Sequence, residues 1–260
     1  MEIYSKLKGL AEKVEQLKDK IETEESTKHA FTLPFINVLG YDTFNPTEVV
    51  PEFTADLGLK KGEKVDYAII QNEQPILIIE CKHWNQNLDL HNSQLFRYFH
   101  VSKTKFALLT NGIQYRFYTD LEESNKMDER PFLEFDITKL KESTAKEIEK
   151  FHKSRFDVSL IFDNASNLKY TRQIKSLIDS EISEPSADFV KLFANKAYSG
   201  RLTSKVMEDF TEIVSKAFSQ IISEKVNDRL NSALNKEQEK QQEEEVLEEP
   251  TSKIETTEEE

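Results

Sequence analysis

The chain has 260 residues with a formal net charge of −13, 10% aromatic residues, seventeen Phe and a single Trp. That length and aromatic content support a real hydrophobic core, in one generous domain or two small ones, with a highly charged remainder. No run of about 18 apolar residues occurs, which argues against a membrane-spanning helix, and an acidic balance excludes a broadly basic nucleic-acid-coating surface.

The charge is unevenly placed. Residues 236–260 hold eleven Glu and three Lys and carry −8 of the −13, leaving −5 elsewhere. Any affinity for DNA is therefore expected to be local. The N-terminus lacks the apolar core of a signal peptide, and the lone Cys81 has no internal disulfide partner. Both point to a cytoplasmic protein.

In chain order, Ile3, Leu7, Leu10, Val14, Leu17 and Ile21 alternate steps of four and three, a short heptad seam. Such a stripe predicts packing on the chain's own domain or a homodimer through helices. A second helix is expected over 24–39, with Phe31, Phe35 and Leu39 at helical spacing, a kink at Pro34 and Gly40 as its stop. A first strand is expected over 47–53 and a turn over 58–64.

The most informative stretch is 65–82: VDYAII, the linker QNEQP, then ILIIECK. Two apolar, β-branched runs about a polar linker read as a hairpin. With its centre near Glu73, Asp66 falls opposite Glu80, and alternation puts Lys82 on the face of Glu80. Two carboxylates among Ile69, Ile70, Ile78 and Ile79 would repel and be costly to bury. A hard divalent cation, Mg²⁺ or Mn²⁺, would relieve this, and a neighbouring Lys could assist chemistry on a phosphate. The plainer alternative is a Glu80–Lys82 ion pair at a strand end.

Next, 91–101 reads as a helix carrying Gln94 and Tyr98 at i and i+4, where Tyr98 could equally be a core aromatic. Lys105–Thr110 and Ile113–Thr119 flank Asn111-Gly112, a strong hairpin signal. A helix linking Lys82 to Phe106 permits a right-handed crossover between parallel strands. His83 beside the acidic pair is expected to be a strand-end polar residue, and the five His show no zinc-like spacing. Cys81 should be a small core residue. Beyond 138 the pattern turns helical over 139–152, 168–182, 186–198 and 203–234. From 236 the Gln/Glu-rich tail is expected to be disordered.

Asp66 followed by Glu80-Cys81-Lys82 resembles the PD-(D/E)XK nuclease motif. Glu24-Glu-Ser-Thr-Lys28 resembles the E-x-x-T-(R/K) segment of the N-terminal nuclease domain of type I restriction enzyme R subunits. Pro51-Glu52-Phe53 resembles the strand that follows it, and Gln94-Leu-Phe-Arg-Tyr98 the Q-x-x-x-Y motif of that group. No phosphate-binding G-x-x-x-x-G-K-(S/T) loop of a motor domain is present.

The resemblance implies an α/β, restriction-endonuclease-like fold, with a mixed central sheet flanked by helices, over residues 1–137. A helical region would follow over 138–235, then the tail. It further implies a Mg²⁺- or Mn²⁺-dependent nuclease acting on DNA. Asp66, Glu80 and the Cys81 backbone carbonyl would hold the metal, Lys82 would assist the attacking water, Glu24 would support the site, and Gln94 and Tyr98 would position the metal-site residues or DNA. The reading from a different class is a catalytically quiet nuclease-fold protein serving as a binding or assembly module.

Overall fold

The computed structural model describes residues 2–54, 64–90, 93–102 and 104–247. The turn expected over 58–64 falls almost entirely outside them, as does the expected helix start at His91. The chain divides into two compact units, Met1–Gln173 and Ile174–Glu260.

The first unit is α/β, built on a six-stranded sheet whose strands lie side by side in chain order. They are β1 (Val49–Phe53), β2 (Val65–Gln71), β3 (Gln74–Cys81), β4 (Phe106–Thr110), β5 (Gln114–Tyr118) and β6 (Leu133–Asp136). All neighbours are antiparallel except β3 and β4, which are parallel. The helix α4 (Ser93–Val101) makes the connection that a parallel pair needs. Alternating residues separate two cores. Tyr67, Ile69, Leu77, Ile79, Phe106, Leu108, Tyr115 and Phe117 face one layer of helices. Ala68, Ile78, Ala107 and Leu109 face α4 through Leu95, Tyr98 and Phe99.

On the first face lie α1 (Glu2–Leu17), then a continuous helical stretch of α2 (Glu24–Thr27), a π-helical turn (Lys28–Thr32) and α3 (Leu33–Val38). Thr23 caps α2, its hydroxyl accepting from the Ser26 amide at 3.0 Å. The irregularity expected from Pro34 appears one turn earlier, as the π turn. A proline lacks the amide that would bond the carbonyl four residues before it, and wider turns absorb such a defect. Gly40 ends the helix at φ 83°. Its amide bonds Asn37 O and the Tyr41 amide bonds Ile36 O, a Schellman stop that only a residue tolerant of the left-handed region closes cheaply.

The heptad seam belongs to this core. Ile3, Leu7, Leu10 and Val14 are buried against Phe31, Phe35, Leu39 and Ile148, with Leu17 and Ile21 at its margin. The stripe is thus covered by the chain's own helices and sheet and is not a free dimerisation face. The hairpin at Asn111-Gly112 closes one residue later than the dipeptide suggests. Asn111 takes the first turn position, its side-chain oxygen accepting from the Ile113 and Gln114 amides. Gly112 sits at φ 80° with Phe31 so close that an added Cβ would lie 2.7 Å from the Phe31 Cβ.

The core extends past residue 137. α5 (Glu142–Glu149), the turn after it and the first half of α6 (Val158–Ser183) add Ala145, Ile148, Phe151, Ile161 and Ala165 to the sheet's larger core. Compactness therefore places the division at 173/174, whereas the change in sequence pattern suggests 137/138.

The second unit contains the end of α6, α7 (Ala187–Ala197) and α8 (Ser204–Leu247). α7 packs on α8, with Phe189, Phe193 and Phe218 clustered at centroid distances of 5.1, 5.5 and 5.7 Å. α8 continues twelve residues beyond 235, into the Gln/Glu-rich stretch. Glu, Gln and Lys are good helix formers, so the helix propagates there on propensity; residues 248–260 lie outside the described ones. Ile222, Val226 and Leu230 on α8 are about half exposed. No helix among the described residues is long and apolar enough to cross a membrane.

Because Leu10 is only 5% exposed, Leu10→Glu puts an unpaired charge in the core and should cost more than about 3 kcal/mol. Urea unfolding with light scattering reads both possibilities. A variant of unchanged stability that dissociates from dimer to monomer would show that the seam meets a second copy instead.

Candidate active site

The two turn residues of the β2–β3 hairpin are Asn72 and Glu73, both at positive φ (51° and 61°), as a tight two-residue turn demands. Gln71 pairs with Gln74 and Ile70 with Pro75, but Ile69 pairs with Leu77. Ile76 is therefore the extra residue of a bulge. Beyond it the ladder runs Ala68↔Ile78 and Tyr67↔Ile79, and one further step sets Asp66 across from Glu80. Without the bulge, the turn's register would set Asp66 across from Ile79.

Asp66 is held at both oxygens. Oδ2 accepts from the Cys81 amide at 2.6 Å, and Oδ1 lies 2.6 Å from Lys28 Nζ. Across from it, Lys82 Nζ donates to Glu80 Oε1 at 2.6 Å, so the expected strand-end ion pair is present. The Glu80 side chain is only 3% exposed, and its second oxygen, Oε2, is buried with no hydrogen-bond partner. Burial pushes the Glu80 carboxyl up, to about 7, helped by repulsion from Asp66 and opposed by Lys82. For Lys82, attraction to Glu80 outweighs burial and raises its affinity for the proton.

Alternation sends Cys81 to the other face of β3. Its sulfur lies 3.1 Å from the Thr32 hydroxyl at the end of the π turn. Burial lifts its thiol to about 12, which makes it an inert core residue rather than a nucleophile. The segment Glu24–Lys28 is brought to the same strand end. Thr27 Oγ1 accepts from the Trp84 amide at 3.3 Å, and the Trp84 indole donates to Ile21 O at 3.0 Å. Glu24 approaches through Lys28, 3.7 Å away, and its charge adds to the forces raising the Glu80 carboxyl. His83 bonds Asn85 and Ile21 O.

Gln94 and Tyr98 stand one layer back. Gln94 donates its side-chain amide to Lys64 O, two residues before Asp66. Tyr98 is fully buried in the α4 core with Val65, Ala68 and Ile78. Both support β2 and β3. Among the described residues, no group of three or more His, Cys, Asp and Glu side chains gathers as a metal cluster. The acidic pair would need backbone or water oxygens to complete a coordination shell. Lys28 is the site residue that residue chemistry alone did not single out; its signal was its place at the end of the E-x-x-T-K segment, four residues after Glu24.

Residues 48–126 match the family described as Type I restriction enzyme R protein N terminus. The matched stretch runs from the start of β1 past β5 and contains Asp66, Glu80, Lys82, Gln94 and Tyr98; Glu24 and Lys28 precede it. No curated protein and no solved structure matches the chain.

The raised carboxyl has a measurable consequence in metal-free protein. The native state holds a proton on Glu80 up to about pH 7, whereas its ordinary value is 4.5. Stability should therefore be highest below pH 4.5 as far as this group is concerned, fall as pH rises towards 7, and level off above it. The contribution should not exceed about 3 kcal/mol. Urea unfolding in EDTA across that range should show the slope in wild type and lose it in Glu80→Gln. An equal slope in both would assign it to other groups.

Proposed function

We propose that the first unit is a metal-dependent nuclease that hydrolyses DNA phosphodiester bonds, a relative of the type I restriction R-protein N-terminal domain. The observation that carries this reading is the orphan Glu80 Oε2, a buried carboxylate oxygen without a partner beside a second carboxylate. A stable fold has no use for such an atom, and an oxygen-seeking cation satisfies it. Asp66, Glu80 and the Cys81 carbonyl would hold Mg²⁺ or Mn²⁺, which supplies Lewis-acid polarisation of a phosphoryl oxygen and a more acidic bound water. The restriction-domain match over 48–126 supports DNA as the substrate.

The chain's own residues supply the rest. Lys82, held by Glu80 at the strand end, orients the attacking water and offsets negative charge growing on the phosphate. Glu24 reaches this region from α2 through Lys28. Gln94 and Tyr98 fix the strands from the α4 side. The cytoplasm suits an unpaired cysteine and a DNA substrate.

One observation favours a second reading, a quiet nuclease fold used for binding or assembly. Lys28 and Lys82 each pair with one carboxylate, so the four charges already balance without a metal.

A cleavage assay of the full chain on labelled DNA separates the two. The nuclease reading expects cutting with Mg²⁺ or Mn²⁺, none with EDTA, and a loss of about 100-fold or more in Lys82→Ala with an unchanged fold. Asp66→Asn should weaken metal binding and cut poorly. Cutting unaffected by both substitutions would remove this site from the mechanism, and no cutting under any metal would favour the assembly reading.

A further inference from the structure

We infer that Lys28 is a built-in counter-cation of Asp66, standing where a divalent ion must bind, so that loading the site requires the ammonium to withdraw onto Glu25. This rests on the metal-dependent reading above and says how the site is kept closed without its ion.

The geometry allots every oxygen. Asp66 Oδ2 is committed to the Cys81 amide, leaving Oδ1 as its remaining ligand position, and Lys28 Nζ occupies it at 2.6 Å. Glu80 Oε1 is committed to Lys82 at 2.6 Å, and Oε2 is open. Of the four carboxylate oxygens one is open, one accepts from a backbone amide and two are held by internal cations, Lys28 on Asp66 and Lys82 on Glu80. An ammonium seated on Oδ1 competes with a divalent metal there, since their charges repel at contact distance.

Lys28 is well placed to leave. Its side chain is 14% exposed, and on its own helix Glu25 Oε2 lies 3.3 Å from Nζ, with Glu24 Oε1 at 3.7 Å. Withdrawal therefore exchanges one carboxylate for another at the helix surface and strands no charge. Lys28 also opens the π turn, a wider helical turn of the kind that collects at functional positions. Lys28 is a positioning residue in this scheme: it acts through Asp66.

The experiment is calorimetric titration of the full-length protein with Mn²⁺ alone, alongside thermal melting with and without the ion. Lys28→Met should bind Mn²⁺ about tenfold more tightly than wild type, the scale of one lost competing ion pair. It should melt lower without metal and gain more on adding it. Glu25→Gln, at a 64% exposed position, should bind about two- to threefold more weakly, because the withdrawn ammonium loses its berth. Equal, measurable Mn²⁺ affinity in wild type and Lys28→Met overturns the inference and leaves the metal reading standing. No Mn²⁺ binding by either overturns the metal reading itself. If Lys28→Met fails to fold, Glu25→Gln decides, and wild-type affinity in that variant overturns the inference.

Discussion

The turn of the β2–β3 hairpin and its far end are in different registers, and the extra residue at Ile76 reconciles them. Tight two-residue turns fix pairing near the tip, and pairing fixes which side chains face each other all the way down. Carried on unbroken, the register of Asn72–Glu73 would present an isoleucine to Asp66. The inserted residue rephases the strands within three residues, so Asp66 and Glu80 meet. The paired ammonium groups, the raised Glu80 carboxyl and the orphaned Oε2 all follow from that offset.

This hairpin also shows how far a sequence can be read. Symmetry about Glu73 places Asp66 opposite Glu80, and the strands meet in that register, but by another route. The turn is centred between Asn72 and Glu73, and a bulge makes up the difference. Apolar alternation recognises a bulge poorly, because Ile76 is as apolar as its neighbours and still packs at the core margin. The mixed sheet and the parallel β3–β4 pair were legible because each is bracketed by strong local signals: apolar runs, Asn-Gly, and a helix between strands. Tyr98 and Gln94 were legible as a pair, but only packing shows that they prop the strands from behind.

What the sequence left open was mostly the choice of partner. The stripe on α1 is a heptad seam in pattern, yet it lies against Phe31, Phe35 and Leu39. Periodicity specifies a buried face without naming what buries it. The change of pattern after 137 and the compact division at 173/174 lie apart for the same reason, since Ile148 and Phe151 are helical in pattern but belong to the sheet's core. In the Gln/Glu-rich stretch, composition signalled too little apolar surface for a packed core, whereas the backbone to Leu247 responds to helix propensity, which composition alone does not weigh.

The π turn has a consequence for how the domain tolerates insertions and deletions. A π turn fits one residue more into a helix than regular winding does, and here that residue lies between Lys28, bound to Asp66, and Thr32, bound to Cys81. Removing one residue between them and restoring ordinary winding would leave the two flanks in nearly the same angular phase, because a π turn holds its extra residue within about the arc that one residue fewer covers in an α-helix. α3 and the Glu24–Lys28 segment could then both keep their seats, whereas inserting a further residue, with no second wide turn to absorb it, would turn one flank by about 100° relative to the other. Substitutions within 29–31 face the usual limits of packing, but the π turn lets the segment lose one residue, and not gain one, while a single helix still meets Asp66 on β2 and Cys81 on β3.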